Sequence, residues 1–344
     1  MAGKRLVTAL LTSLGVDHLF RRVNRDRVLV LMYHAITDQL HHPPVWTHLP
    51  VACFRQQLEF LKTHYQVIGL DEFLEAQAGR TALPPRSALI TFDDGYRNNY
   101  RVAFPVLREL ELQSTVFLTV DRIGKRQLLW LDELYLHLSA PGNRDAALPL
   151  PTEDAFRAFQ AGLVGEAYHL SAERLKLTPP RERAAYLENL RRVSRLIPGH
   201  NDEDFQLLEW DEVVRMRDSG LVSFGVHTAT HRILSELEKS EWDAEIAAPK
   251  RKLEEILGAP QTAFCFPNGR PGVDYRPEHL AYLSSLGYHC AFTTRSGLHR
   301  SDGDDLFQVP RIAAGNDVTS EPEFFRLNTS GFIPWLRDSL GRSA

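Results

Sequence analysis

Two short stretches carry residues that can do chemistry together. The first is Thr91-Phe92-Asp93-Asp94-Gly95-Tyr96, where adjacent carboxylates follow the apolar run ALITF and precede a glycine. Carboxylates at the end of a buried strand are costly to desolvate unless something holds them. Neighbouring side chains on a strand point to opposite faces, but a turn at Gly95 can bring both toward one pocket. The plain structural alternative is a helix N-cap, with Asp93 or Asp94 accepting from free N–H groups of the following helix. The second stretch is His227-Thr228-Ala229-Thr230-His231, directly after Val222–Val226. With 14 histidines in the chain, one such pair is not rare by chance, and a pair of surface or core histidines is the plain reading. At the C-terminal end of a strand, however, two imidazoles at this spacing can share a metal ion. Two histidines and one carboxylate make the three-ligand, open-position site of catalytic zinc, and the second carboxylate is left over as a base.

The elements that must position these groups read as strand and helix in alternation. Candidate strands are Arg27–Tyr33, Gln66–Leu70, Ala88–Phe92, Thr115–Val120, Leu221–Val226, Thr262–Phe266, Tyr288–Thr293 and Phe307–Ile312. Helical patterns lie between them at Ala52–His64, Asp71–Gln77, Arg101–Glu111, Trp210–Arg217, Glu241–Leu257 and Pro277–Leu286, several followed by a glycine stop such as Gly220, Gly258 or Gly287. Continuous apolar strands such as VLVLM predict a parallel sheet covered by helices, and the strand count favours a barrel, whose active site lies at the C-terminal strand ends. The rhythm breaks over 125–209, where helical patterns at Leu131–Leu138, Glu153–Leu163 and Glu182–Ile197 are punctuated by Pro141-Gly142, Pro179-Pro180 and Pro198-Gly199. The domain reading is an N-terminal amphipathic helix (1–26), a first barrel part (27–124), a helical insertion (125–209), a second barrel part (210–320) and a C-terminal tail (321–344).

Composition narrows the class. The chain has 344 residues, 43% hydrophobic and 24% charged, which excludes a disordered tail or a fibrous repeat. A net charge of −4 gives no global pull toward nucleic acid, which is set aside as a partner. Three scattered cysteines, Cys53, Cys265 and Cys290, make neither a disulfide framework nor a metal knuckle. At the N-terminus, Leu6, Leu10, Leu11, Leu14 and Leu19 recur at helical spacing between Lys4-Arg5 and Arg21-Arg22. A signal peptide fits poorly, because Thr8, Thr12 and Ser13 interrupt the apolar stretch. A helix packed on the body is the first expectation and a membrane-surface helix the second. No apolar run reaches the ~18 residues of a spanning helix.

LMYHAI at 31–36, TFDDGY at 91–96, HTATH at 227–231 and CFPNG at 265–269, in this order, resemble the polysaccharide deacetylase, or NodB-homology, family. The resemblance spans roughly Val28 to Ile312. It implies an α/β fold, an incomplete (β/α) barrel of the polysaccharide deacetylase type with a helical insertion. It also implies metal-dependent removal of N-acetyl groups from N-acetylhexosamine units, with Asp93 as general base and Asp94, His227 and His231 as ligands of a divalent metal, zinc the first choice.

Two family features are missing. No Leu-x-His element stands near the C-terminus, since His299 falls in a loop pattern, so His34, ending the first strand, is the preferred acid; a structural histidine is its plain alternative. No arginine precedes the Pro-Asn-Gly turn, so Arg311, after Pro310, is expected to pair with Asp93, with Arg270 a weaker choice. A backbone N–H of the Gly95-Tyr96 turn is expected to face the oxyanion. Tyr96 and Trp130 are the preferred sugar platforms, ahead of Trp46 and Trp210, with Asn268 a further substrate contact. Cys265 reads as packing. The same groups can serve hydrolysis of another C–N bond, and a catalytically silent glycan-binding barrel is the rival from outside the enzymes. The expected partner is an N-acetylated glycan or glycolipid. The expected location is the cytoplasm, with peripheral contact to the inner membrane through Lys4–Arg22.

Overall fold

The computed structural model describes residues 2–143, 148–196 and 202–341. The chain divides into two compact units, one of Met1–Asp38, Trp46–Lys125 and Leu207–Ala344, the other of Gln39–Val45 and Arg126–Gln206. In chain order the first unit opens with helices α1 (Ala2–Ser13) and α2 (Val16–Val23), then strands β1 (Leu29–Tyr33), β2 (Ala35–Thr37) and β3 (His48–Pro50). It continues with α3 (Val51–His64), β4 (Gln66–Val67), α4 (Leu70–Gln77), β5 (Ser87–Phe92), α5 (Phe104–Leu110) and β6 (Ser114–Leu118). The second unit holds α6 (Trp130–Ser139), α7 (Glu153–Gln160), α8 (Val164–Lys176) and α9 (Pro180–Val193). The first unit resumes with α10 (Trp210–Asp218), β7 (Val222–Val226), α11 (Ala248–Leu257), β8 (Ala263–Cys265), α12 (Pro277–Ser285), β9 (Cys290–Phe292), β10 (Ile312–Ala313), α13 (Pro322–Thr329) and α14 (Phe332–Ser339).

Seven parallel strands run β10-β1-β5-β6-β7-β8-β9, and β4 adds to the start of β5. Leu31 lies level with Ile90 on one side and Ile312 on the other. The far edge curls back, because Val309 bridges Phe292 of β9 just before the same segment joins β1 as β10. The fold is an incomplete (β/α) barrel. Its strands are buried on both faces, and Val30, Leu89, Phe117, Cys265 and Phe292 share one apolar cluster. That is the reason β1 and β5 read as unbroken apolar runs rather than alternating ones.

Several expected boundaries shift for local reasons. The segment expected as Phe307–Ile312 begins instead as a 3-10 turn over Leu306–Gln308, because the Asp305 side chain caps the Phe307 N–H. The helix expected at Arg101–Glu111 starts as a π turn at Asn99–Ala103, and the one expected at Glu241–Leu257 passes through 3-10 and π turns before α11. The parallel pair β2–β3 was not legible in the sequence. In the second unit, α8 was missed, while Pro198-Gly199 lies outside the described residues. Gln39–Val45 clusters with the insertion although it precedes it by some eighty residues in sequence.

Both chain ends differ from expectation. The segment read as a tail at 321–344 contains α13 and α14, started by Pro322 in the first turn of α13 and by the left-handed Gly331 before α14. Arg326 of α13 pairs with the buried Asp17, which also receives Arg21. The single N-terminal helix is two, broken at Gly15 with φ 75°. Four of its five leucines face outward: Leu6, Leu10, Leu14 and Leu19 are exposed, while Leu11 is half-buried and Thr12 is buried.

Candidate active site

β5 delivers the carboxylate pair. The Asp93 N–H donates to Tyr33 O at the tip of β1, after which Asp94 and Gly95 both turn left-handed, with φ 72° and 79°. A Cβ at Gly95 would stand 2.7 Å from Leu118 Cδ2, so the turn requires glycine. The double left-handed step cancels strand alternation and lets the two carboxylates reach different partners on either side of His227. Neither is an N-cap, because the following helical turn begins only at Asn99.

Asp93 is gripped by Arg311, whose Nη1 and Nη2 donate to Oδ1 and Oδ2 at 2.7 and 2.8 Å. Arg311 precedes β10 rather than ending it. Its buried side chain therefore extends along the barrel interior, donating from Nε to Thr293 O at 2.9 Å and from Nη1 to Thr91 Oγ1 at 3.2 Å on the way. Burial alone would raise the Asp93 carboxyl, but the Arg311 guanidinium outweighs it and the net shift is downward, so Asp93 is ionised at neutral pH.

Asp94 faces the histidines. Its Oδ1 lies 3.4 Å from His227 Nε2 and 3.2 Å from His231 Nε2, and it is a buried oxygen with no hydrogen-bond partner. His227 Nδ1 lies 2.8 Å from Cys265 O, and since a carbonyl only accepts, Nδ1 carries a proton and Nε2 is the nitrogen that faces Asp94; burial alone would lower the His227 pKa, but Cys265 and Asp94 beside it raise it well above the ordinary value. Two imidazole nitrogens and an orphaned carboxylate oxygen converge on one point, an arrangement that calls for a cation between them, either a proton on His227 or a metal ion. This donor set fits a divalent metal with nitrogen and oxygen ligands. Asp93, His227 and Cys265 also stand within ligand range of one another. Both Asp93 oxygens are taken by Arg311, and burial pushes the Cys265 thiol up, so that second set is the poorer one.

Backbone strain marks the same loops. Among the described residues six non-glycine ones have positive φ, and four of them are Asp94, Thr228, His231 and Asn268, in the three motif loops. The 228–231 turn is held by the His231 N–H donating to Thr228 Oγ1 at 3.0 Å and by the buried Glu245. Glu245 accepts from the Thr230 N–H at 3.1 Å and the Thr230 hydroxyl at 2.7 Å, and its own carbonyl accepts from the Ala229 N–H.

His34 directly follows β1, partly exposed, within electrostatic range of Asp94, Asp93, Arg311 and His227. Burial lowers its pKa, with Asp94 and Asp93 opposing. Its carbonyl accepts from Asn99 Nδ2 at 2.6 Å, and Asn98 Oδ1 accepts from the Ile36 N–H, so the asparagines following DDGY pin the His34 segment. The Trp46 ring meets His34 edge-on at 5.2 Å and is 37% exposed. A Cβ at Gly315 would lie 2.5 Å from Trp46 Nε1, so the indole seat exists only because position 315 is glycine.

Other expected residues fall elsewhere. Tyr96 is 2% exposed and packs against His48, leaving no open ring face for a sugar. Trp130 belongs to the second unit, where Arg183 lies over its ring at 4.9 Å and the ring packs on that unit's apolar cluster. Trp210 lies under Lys252. Asn268 is partly exposed in the turn after β8. Arg270 is paired with Asp274. His299 is buried at the opposite end of β1, exchanging backbone hydrogen bonds with Val28. The Gly95 N–H is committed to Asp93 O, which removes it as an oxyanion donor. Cys265, read as packing, also directs its thiol at Asp93 Oδ1 from 3.4 Å. Glu245, Asn98 and Asn99 have no role in the sequence reading; the Asn-Asn pair after DDGY is the one local signal available.

Fold and site together define a half-open (β/α) barrel with carboxylates and imidazoles gathered at the C-terminal strand ends. The family model described as polysaccharide deacetylase matches residues 80–291, and the chain belongs to that family of deacetylase enzymes. A Bacillus subtilis (strain 168) protein assigned to the polysaccharide deacetylases, YxkH, is 22% identical over 82% of this chain and 70% of its own length. The poly-beta-1,6-N-acetyl-D-glucosamine N-deacetylase of Escherichia coli (strain K12) is 31% identical over 24% of this chain and 13% of its own length. The structure of IcaB from Ammonifex degensii superimposes with TM-score 0.58 at 20% identity, covering 89% of this chain and 98% of that one, a likeness of fold.

Proposed function

We propose that this enzyme hydrolyses the acetamido group of N-acetylhexosamine units in a glycan or glycolipid, with a divalent metal, zinc first among candidates, held by Asp94, His227 and His231. The observation that carries the reading is the orphaned Asp94 Oδ1 between two imidazoles, beside a second carboxylate locked by Arg311. When bound, the metal supplies Lewis-acid polarisation of the amide carbonyl and a lowered water pKa. Asp93, ionised, takes the proton of the attacking water. Arg311 holds the Asp93 carboxylate in one orientation; Oδ2, which Cys265 does not contact, keeps a further lone pair for that proton. His34 in its protonated form gives a proton to the departing amine nitrogen, and the products are acetate and a free amino sugar. Trp46, open beside His34, is the better sugar platform than Tyr96 or Trp130, and Asn268 is retained as a substrate contact. The local likeness to poly-N-acetylglucosamine deacetylases makes β-1,6-linked N-acetylglucosamine oligomers the first substrate to test.

The test measures acetate release from N-acetylhexosamine oligomers by wild type, Asp93→Asn and His227→Ala, with metal quantified in each. Acetate from wild type alone, with metal retained in Asp93→Asn and lost in His227→Ala, is the expected result. Metal bound stoichiometrically without acetate release would overturn the substrate; wild type without metal would overturn the site.

A further inference from the structure

Among the described residues, eight of the 16 exposed large apolar side chains lie within or directly beside α1, α2 and α14. On α1 and the turn after it, Leu6, Val7, Leu10 and Leu14 recur at one-turn spacing, each more than half exposed, along one outward stripe. The helix departs from a normal surface helix, since its most buried described residue, Thr12, is polar and only Leu11 among its leucines is half-buried beside it. That departure is tolerated because the Thr12 hydroxyl donates to Thr8 O and Ala9 O within the helix, leaving no unsatisfied group against the body. The helix is nevertheless docked, by contacts to α13 and an ion pair between Arg5 and Glu321, so the outward stripe is a fixed feature.

The neighbouring elements extend this face. Leu19 and Val23 of α2 are exposed, and Trp335 of α14, 52% exposed, packs against Phe20 of α2. Basic charge flanks it: Arg22, Arg25 and Arg27 are exposed, with Asp26 as the exposed acid among them, in a chain whose net charge is −4. An apolar stripe flanked by arginines with a tryptophan in the same face is the pattern of a helix lying in a lipid interface. A symmetric second copy fits worse, since pairing this face with itself would bring the arginine clusters together. Among the described residues no helix is long and apolar enough to cross a membrane.

From these observations we infer that α1 and α2 dock the enzyme on the surface of an anionic phospholipid bilayer. This goes beyond the deacetylase reading and stands or falls independently of it. The test is co-sedimentation of the full chain with vesicles of phosphatidylglycerol and phosphatidylcholine, and with phosphatidylcholine alone, at two salt concentrations. Wild type is expected to bind the anionic vesicles, more weakly at high salt, and Leu10→Ser/Leu14→Ser to bind at least about 10-fold more weakly with unchanged thermal unfolding. Absence of binding to anionic vesicles, or equal binding by the double variant, would overturn the inference. So would a concentration-dependent dimer of wild type, seen by sedimentation velocity and abolished by the same substitutions.

Discussion

Arg311 and Asp93 meet across 218 residues of sequence in a two-pronged ion pair in which both partners are almost wholly inaccessible to solvent. The pair joins the segment that closes the curled sheet to the strand that ends in Asp93 and Asp94, and it fixes the direction in which Asp93 faces.

Removing the guanidinium strands a buried charge. Arg311→Met is expected to destabilise the fold by about 3–5 kcal/mol, because Asp93 remains buried without its partner. Asp93→Asn in the Arg311→Met background should restore part of that loss without restoring turnover. Arg311→Lys keeps the charge but not the fork, so it should fold and lose acetate release. Denaturant melts and initial rates on the four proteins separate these effects.

Metal occupancy should follow Asp94 and the histidines rather than Asp93. Asp94→Asn and His231→Ala are expected to lower bound metal strongly, while Asp93→Asn keeps it, measured after dialysis by elemental analysis. Retention of full metal in Asp94→Asn would disprove the ligand assignment.

Glu245 touches no ligand atom yet clamps the strained turn between the two histidines through both oxygens. Glu245→Ala should weaken metal affinity by roughly 10–100-fold, the scale typical of groups that orient ligands. Glu245→Gln, able to accept from only one Thr230 donor through its amide oxygen, should lie between. Competition titration with a chromogenic chelator reads the difference.

The pH profile follows from two shifted groups. His34 must be protonated to donate, and its pKa lies below the ordinary 6.5, so kcat/KM should fall as pH rises through a value under 6.5. Asp93 must be ionised, and its pKa lies below the ordinary 3.8, so the acid limb due to this group belongs under that value. His34→Gln should lower the rate by about 10²–10⁴-fold and abolish the alkaline limb. Persistence of that limb in the variant would assign the acid elsewhere.

The sequence alone determined whatever is local. Asp93-Asp94-Gly95 after an apolar strand and His227 to His231 after another disclose a site at the C-terminal strand ends, because strand, turn and spacing are properties of a few consecutive residues. The barrel followed from the same local signals, repeated. Arg311 was legible as a candidate by its place near the last strand, but not its course through the barrel interior.

Only the tertiary structure decided which side chains complete the site and which face solvent. Trp46 replaces Tyr96 as the open aromatic because the Gly315 backbone makes room for one indole while His48 lies against the other ring. Glu245 and Asn99 act on residues distant in sequence, a relation that no periodicity records. Leu6, Leu10 and Leu14 have the spacing of a packed face, yet they point outward, because spacing gives a helix its stripe and only the neighbours α2 and α13 determine which way the stripe is turned.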